Sequence, residues 1–305
     1  PGAARSGTTT LYSLLNQHPK ICMSNIKEPN YFSFYYQKGD NWYLNLFKVD
    51  SETKLEKLTN PYFYHPKFNS CRQNMLAGEA STRYMTYPKT PKRMYQFNPD
   101  FKLIFMLRNP VDRAFSNYKK DIQTFGLNEE FESIIKKDCE NEGKEIDQIH
   151  SAREFRDTKT LRKRDYVWRG NYFTHIKEFL KFFSKNQMHF IIFKDFIENT
   201  EEEITKTLDF LGLSSSCKFD FNQIDQNKSI MPVSKLLQER IHKYFFPDLK
   251  DSLHKQAIKY PFWKSLNAIN HIGLPFINQN PPNLNQSTRE HLVDYYKGEI
   301  KKIEN

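Results

Sequence analysis

The feature of this chain that most constrains its fold is a glycine-containing loop at its start. Gly2 and Gly7 have the spacing of the phosphate-binding loop G-x-x-x-x-G-K-[ST]. Two glycines permit a tight turn whose backbone N–H groups converge on an anion, and a helix beginning at Thr8 adds its positive N-terminus. The lysine of that motif would stand at position 8, so the only cation of this loop is Arg5. The loop therefore predicts a bound nucleotide whose transferred group is not a γ-phosphate.

A second stretch predicts a strand that runs directly into a helix. The apolar run 102–107 is typical of a buried parallel strand, and Pro110 suits the first turn of the helix after it. Arg108 then lies at the carboxyl end of a strand, where open α/β sheets bind their ligands. Ser116 follows about two turns along the helix. The alternative interpretation of these residues is a strand-end ion pair and a solvent-facing serine.

Helical and strand patterns alternate along the chain, which predicts the α/β class, with a P-loop-like three-layer fold and a central parallel sheet flanked by helices. The length fits one domain, 1–305. A strand is expected before the phosphate loop, so the first strand is expected to be truncated at Pro1. A loop and helix at 275–305 are expected to close the nucleotide site. The predicted helices span 8–17, 110–124, 172–183, 201–211 and 287–303, and the predicted strands span 21–23, 76–80, 102–107 and 188–193.

These residues resemble the PAPS-dependent sulfotransferase family, in particular its heparan sulfate type and the bacterial sulfotransferase domain; PAPS is 3′-phosphoadenosine 5′-phosphosulfate. Residues 5–9 match the family's (K/R)-x-G-T-(T/S) loop, and residues 108–118 match its R-(D/N)-P-x-x-R-x-x-S-x-Y stretch. Residues 27–32 match its (K/E)-E-x-x-(F/Y)-F segment. Two looser matches are 78–84 and 169–172, the second of which opens an amphipathic helix.

The resemblance implies a single enzymatic activity with PAPS as sulfuryl donor and no metal. The acceptor would be a hydroxyl or amine, on a carbohydrate such as a polysaccharide. The implied catalytic residues are Glu28 and Arg5. The implied donor-binding residues are Arg5, Ser6, Gly7, Thr8, Thr9, Arg108, Ser116 and, from the last helix, Arg289.

Two carboxylates compete for the role of general base. Glu28 lies in the family-matched segment, and Pro29 is expected to bias its backbone toward an extended conformation. Glu79 ends a predicted strand and could equally be the buried partner of an arginine. Asn30, Ser33 and Ala80 stand where members of the family often have His, Asp and Lys, respectively. The identity of the acceptor is therefore left undetermined.

Composition narrows the class of partner only slightly. The net charge of +10 suits polyanionic partners, although the scattered lysines equally fit a drift in composition. No nucleic-acid-binding motif is present, so nucleic acid is not expected as a partner, and nothing indicates an oligomeric state.

Cysteine usage and hydropathy bear on the compartment. The four cysteines are dispersed without metal-ligand spacing, which predicts reduced structural thiols. No signal peptide or membrane-spanning run is visible, so a cytoplasmic protein is expected. A Golgi-lumenal or membrane-anchored location stays open, because a segment before Pro1 could contain a targeting signal or a membrane anchor.

Two other functional classes stay open at this point. A nucleotide kinase or NTPase-like P-loop protein would need a lysine at position 8 and a carboxylate for Mg²⁺. A non-catalytic polyanion binder would show no selectivity for PAPS and a strong dependence on salt.

Overall fold

The computed structural model describes residues 1–47, 75–125, 127, 129–140, 165–221 and 282–304. The helices are α1 (Thr8–Leu15), α2 (Gly39–Asn45), α3 (Thr90–Phe97), α4 (Pro110–Phe125), α5 (Phe131–Glu140), α6 (Tyr172–Leu180), α7 (Phe193–Glu198), α8 (Thr200–Leu211) and α9 (Gln286–Glu304). The strands are β1 (Ile21–Met23), β2 (Leu76–Gly78), β3 (Leu103–Leu107) and β4 (Met188–Ile192). Short 3₁₀ helices span Tyr36–Lys38, Thr82–Thr86, Trp168–Gly170 and Lys185–Gln187.

The described strands form two parallel pairs. β1 pairs with β2, and β3 pairs with β4. The start of the chain extends the second pair, because Gly2 forms a parallel bridge to Phe105. The parallel pairing confirms the prediction, whereas one continuous central sheet is not formed by the described strands.

Helices cover both faces of β3, because successive side chains of a strand point to opposite sides. Leu103, Phe105 and Leu107 belong to one buried cluster, and Met106 belongs to another. The first cluster includes Ile176 and Phe179 of α6 and Met94 of α3. The second includes Leu11 and Leu14 of α1 and Ile204 and Leu208 of α8. This arrangement of helix, strand and helix confirms the three-layer α/β fold.

A third buried cluster attaches the last helix to the domain. Its members come from α4, α5, α9 and the segment before α6, and they include Val111, Ala114, Ile134, Ile135, Val167, Leu292 and Tyr296. The Tyr296 hydroxyl donates a hydrogen bond of 2.7 Å to the Val167 carbonyl oxygen. The C-terminal helix is therefore anchored beside α4, the helix that carries Ser116.

All of the predicted helices and strands are present, with shifts at most of their ends. β4 stops at Ile192, because Phe193 begins α7. The helices α2 and α3 were not predicted, although Pro91 near the start of α3 is a usual helix-start signal. α5 lies in the charged region 125–168, where surface helices and loops were expected. Residues 275–281 of the predicted C-terminal loop lie outside the described residues.

The prediction that all four thiols are reduced is wrong, as Cys22 shows. Cys22 on β1 is disulfide-bonded, while Cys139 and Cys217 are free thiols. Cys71 lies outside the described residues. Spacing along the sequence could not reveal the bond, because pairing requires Cα atoms about 4.4–6.8 Å apart in the folded chain.

Alanine substitutions at two neighbouring residues of α6 test how this helix packs on β3. Phe179 is fully buried with its ring edge-on to Phe105, at 5.3 Å between ring centroids, whereas Leu180 is 38% exposed. We expect Phe179→Ala to lower the free energy of unfolding by about 3–5 kcal/mol, because it leaves a cavity. Leu180→Ala should change it by no more than about 0.5 kcal/mol. Urea unfolding measures both variants, and equal losses would contradict this packing.

Candidate active site

The phosphate loop is held at the carboxyl end of β3 by backbone hydrogen bonds. The Ala3 N–H donates to the Met106 carbonyl oxygen, and the Met106 N–H donates to the Gly2 carbonyl oxygen, both at 2.8 Å. The loop then turns through Arg5, which has a φ of 68°, into α1. Thr8 and Thr9 form the first turn of that helix. Its N-terminal N–H groups therefore face the loop, which suits an anion.

Gly7 is required at the end of the loop for two reasons. Its φ of 82° lies in the left-handed region, where a side chain is strained. A Cβ atom there would also come within 3.0 Å of the Phe193 ring. The loop thus packs closely on the first residue of α7.

Arg108 lies one residue beyond β3 and contacts this loop. Its Nη1 donates a hydrogen bond of 3.1 Å to the Arg5 carbonyl oxygen. Its guanidinium group lies 4.7 Å from the centroid of the Phe193 ring, which is a cation–π geometry. Phe193 therefore packs against both Gly7 and Arg108. Sequence reasoning assigned Phe193 only to the end of a strand.

Ser116 brings the two phosphate motifs together. The Arg5 Nε donates a hydrogen bond of 3.2 Å to Ser116 Oγ on α4. Ser6 between the two glycines is fully buried, and its Oγ has no hydrogen-bond partner of good geometry among the described residues. Arg5, Ser6, Arg108 and Ser116 are thus assembled in one place, although the two motifs are about a hundred residues apart in the sequence.

Positive charge is concentrated at this place. Burial lowers the pKa of Arg5, and the charge of Arg108 lowers it further. Lys119 and Lys120 also have lowered pKa values, first through burial and then through nearby arginines, Arg5 among them. Cations that depress each other's pKa values favour an anionic ligand. Sequence reasoning missed both lysines, yet they lie three and four residues after Ser116 and so on the same helix face.

Glu28 is fixed by contacts on both of its carboxylate oxygens. Oε1 lies 3.0 Å from Lys27 Nζ, and Oε2 accepts a hydrogen bond of 3.2 Å from Thr82 Oγ1. The Glu28 side chain is 16% exposed. A Cβ atom on Gly2 would come within 3.2 Å of the Thr82 carbonyl oxygen, so Thr82 joins Glu28 to the start of the phosphate loop.

The backbone of Glu28 differs from the prediction. Its φ of 59° is left-handed rather than extended. The Asn30 Nδ2 donates a hydrogen bond of 2.7 Å to the Glu28 carbonyl oxygen, and the Asn30 N–H donates to Ser81 Oγ at 2.9 Å. These bonds, together with the ion pair to Lys27, outweigh the local bias that Pro29 imposes.

Glu79 has a different environment. Its Oε2 is closed off from solvent and has no hydrogen-bond partner among the described residues. Burial raises the pKa of Glu79 to about 7, against hydrogen bonds with Tyr84 and Ser81. Glu79 therefore has one carboxylate oxygen enclosed by the protein, whereas both carboxylate oxygens of Glu28 are bonded to Lys27 and Thr82.

Arg289 lies on α9 and pairs with a residue of α4. Its Nη2 is 2.6 Å from Asp112 Oδ1, and both side chains are more than a third exposed. Burial lowers the pKa of Arg108, and the Asp112 charge offsets part of this shift, so Asp112 interacts with both Arg289 and Arg108. Direct contact between Arg289 and the nucleotide stays a prediction.

The residues that the structure describes contain no group of His, Cys, Asp and Glu side chains that could hold a metal ion. None of the described helices combines the length and the apolar character needed to cross a membrane.

Parallel strands between helices, with a glycine loop at the strand ends, place the molecule in the P-loop-like α/β class. Within this class, the family model for the sulfotransferase domain matches residues 2–251, so the chain belongs to the sulfotransferase family. A solved sulfotransferase from Alicyclobacillus acidocaldarius has the same fold, with a TM-score of 0.50 and 24% sequence identity. The match covers 85% of this chain and 93% of that chain.

Curated relatives carry sulfotransferase names. Membrane-associated sulfotransferase kil1 of Dictyostelium discoideum is 34% identical over 122 residues, which cover 40% of this chain and 22% of kil1. Human heparan sulfate glucosamine 3-O-sulfotransferase 6 is 26% identical over 219 residues, which cover 70% of this chain and 51% of that enzyme. The chain thus spans about half or less of the length of these relatives.

A pair of glycines with similar backbones tests the packing of the phosphate loop. Gly212, which follows α8, has a φ of 77° and a ψ of 31°, close to the 82° and 7° of Gly7. A Cβ atom on Gly212 would meet only the flexible end of Lys102 at 4.0 Å, whereas Gly7 is crowded by Phe193. We expect Gly212→Ala to cost about 1–2 kcal/mol through backbone strain alone. Gly7→Ala should cost about 1–3 kcal/mol more, because Phe193 must move. Equal losses in urea unfolding would show that Phe193 does not support the loop.

Proposed function

We propose that this protein transfers a sulfuryl group from PAPS to a hydroxyl or amine group of a carbohydrate acceptor. The observation that carries the proposal is the meeting of Arg5 with Arg108 and Ser116. A donor with phosphate groups at both its 5′ and 3′ ends needs cations from two separate elements. Here one set comes from the loop before α1, and the other comes from the end of β3 and from α4.

The residues of the loop fit the 5′ end of this donor. The buried Ser6 hydroxyl, which lacks a good partner among the described residues, can bond to an oxygen of the ligand. We assign the loop N–H groups, Thr8 and Thr9 to the same group, because they lie at the helix N-terminus. Arg108 and Ser116 are assigned to the 3′-phosphate. The threonine at position 8 argues against a kinase, which would need a lysine there.

The chemistry requires little beyond positioning and charge stabilisation. PAPS supplies the sulfuryl group, which passes in line to the acceptor oxygen or nitrogen as the bond from sulfur to the phosphate oxygen breaks. Arg5 and the loop N–H groups stabilise the charge that develops on the leaving phosphate. Glu28 accepts the proton of the acceptor, while Lys27 and Thr82 hold its carboxylate in place. Turnover without a divalent metal stays a prediction.

A carbohydrate acceptor is supported by the name of the human relative, which acts on heparan sulfate glucosamine. The acceptor of this chain need not be the same. Asn30 and Ser33 stand at positions that often differ in relatives, and here Ser33 Oγ donates a hydrogen bond of 3.1 Å to the Asn30 carbonyl oxygen. Both residues support the Glu28 segment.

We infer the compartment from the disulfide rather than from hydropathy. Disulfides persist in oxidising compartments and are rare in the cytosol. The disulfide-bonded Cys22 on β1 therefore favours a lumenal or extracellular site of action over the cytoplasm that the sequence suggested.

Replacing Arg108 tests the donor assignment. Arg108→Ala should weaken binding of 3′-phosphoadenosine 5′-phosphate about tenfold or more, because a charge-assisted hydrogen bond to the 3′-phosphate is worth about 1.5–3 kcal/mol. Binding of 5′-AMP, which lacks that phosphate, should change much less. Isothermal titration of both ligands with the wild type and the variant measures the difference. A wild type that does not prefer the 3′-phosphorylated ligand would overturn the proposal.

Replacing Glu28 tests the assignment of the base. Glu28→Gln keeps the shape of the side chain and removes the proton acceptor, so the rate of sulfuryl transfer should fall by about two orders of magnitude or more. Affinity for the nucleotide should stay nearly unchanged. Glu79→Gln is the matched control, since it makes the same change in a buried carboxylate, and its rate should stay near that of the wild type. The opposite pattern of rates would transfer the role to Glu79.

A further inference from the structure

Tyr172 belongs to a sequence motif to which the proposed chemistry gives no role. It follows Gly170 and Asn171, begins α6 and is buried at 4% exposure. Its hydroxyl donates a hydrogen bond of 2.9 Å to the backbone carbonyl oxygen of Arg108. That carbonyl lies just past the end of β3, where the pairing with β4 has stopped at Leu107.

The surroundings of Tyr172 keep its hydroxyl a donor. Burial raises the pKa of Tyr172, so the proton stays on the oxygen at neutral pH. The hydroxyl of Ser6 lies beside it. The Tyr172 hydroxyl thus lies between Ser6 of the phosphate loop and the backbone of Arg108.

A continuous series of hydrogen bonds leads from Tyr172 into the candidate site. Tyr172 Oη holds the carbonyl group of Arg108, and Arg108 Nη1 in turn holds the carbonyl group of Arg5. Arg5 Nε then donates to Ser116 Oγ. The orientation of the peptide group at Arg108 determines where its guanidinium group can reach. A contact that fixes this peptide group therefore restricts the positions that the guanidinium group can reach.

We propose that Tyr172 is a positioning residue that sets the orientation of Arg108 and thereby the preference of the site for a 3′-phosphorylated nucleotide. This inference rests on the proposed function, in which Arg108 binds the 3′-phosphate. Tyr172 touches neither the phosphate nor the acceptor in this scheme, and it acts through the backbone of Arg108.

The chain offers a closely matched control for this role. Tyr296 is also fully buried, and its hydroxyl also donates to a backbone carbonyl, that of Val167, at 2.7 Å. It lies on α9 against the same Trp168–Tyr172 segment, since a Cβ atom on Gly170 would come within 2.5 Å of Tyr296 Oη. Tyr172→Phe and Tyr296→Phe therefore remove the same kind of bond, once from the Arg108 carbonyl group and once from that of Val167.

The experiment compares nucleotide selectivity with stability in these two variants. Titrations measure the dissociation constants of 3′-phosphoadenosine 5′-phosphate and of 5′-AMP, and thermal unfolding measures Tm. We expect Tyr172→Phe to reduce the preference for the 3′-phosphorylated ligand about five- to tenfold, which is the loss of about one hydrogen bond. Tyr296→Phe should lower Tm comparably and leave the preference at the wild-type value.

A double-mutant cycle separates positioning from a general loss of structure. In the Arg108→Ala background, Tyr172→Phe should change the affinity for 3′-phosphoadenosine 5′-phosphate by less than about twofold, because its effect passes through Arg108. Additive losses, an unchanged preference in Tyr172→Phe, or an equal loss of preference in Tyr296→Phe would each overturn the inference. If the wild type itself shows no preference, the proposed function fails; if only the variants behave unexpectedly, the role of Tyr172 alone fails.

Discussion

The candidate site depends on two backbone hydrogen bonds that join the first residues of the chain to β3. They run between Ala3 and Met106 and between Met106 and Gly2, each at 2.8 Å. Through them the phosphate loop leaves the strand pair at the edge where Arg108 follows β3. Parallel strands end at the same edge of a sheet, so two motifs distant in the sequence become neighbours there. The other contacts of the site refine this placement.

The positive charges of Arg5 and Arg108 are electrostatically unfavourable in the free protein. Arg5 and Arg108 are both withdrawn from water, which lowers their pKa values, and the charge of Arg108 disfavours that of Arg5. Asp121 and Asp112 offset part of this cost. The ring of Phe193 beneath the Arg108 guanidinium group offsets another part. Under the proposed function, the phosphate groups of the donor would neutralise the remaining repulsion between these cations, which would favour binding.

The local sequence was sufficient to predict those helices and strands that are determined by residues close together in the chain. The helix after Gly7, the strand before Arg108 and the helix opened by Pro110 follow from glycine conformation, apolar runs and proline geometry, and all three are present. Prediction from the local sequence failed where contacts with other residues outweigh a local conformational preference. The left-handed backbone of Glu28 is held by Asn30 and Lys27 against the tendency set by Pro29.

The sequence by itself determined the class of fold and the chemical character of the site, because a glycine loop lacking the usual lysine and a strand-end arginine carry that information within a few residues. Only the tertiary structure decided which groups meet. It joined Arg5 to Ser116 and placed the ring of Phe193 under Arg108. It also enclosed one carboxylate oxygen of Glu79, bonded both oxygens of Glu28 to Lys27 and Thr82, and paired Arg289 with Asp112. The physical reason is that burial and charge pairing depend on distances between elements, and these distances are set by how helices pack on the two faces of the strands.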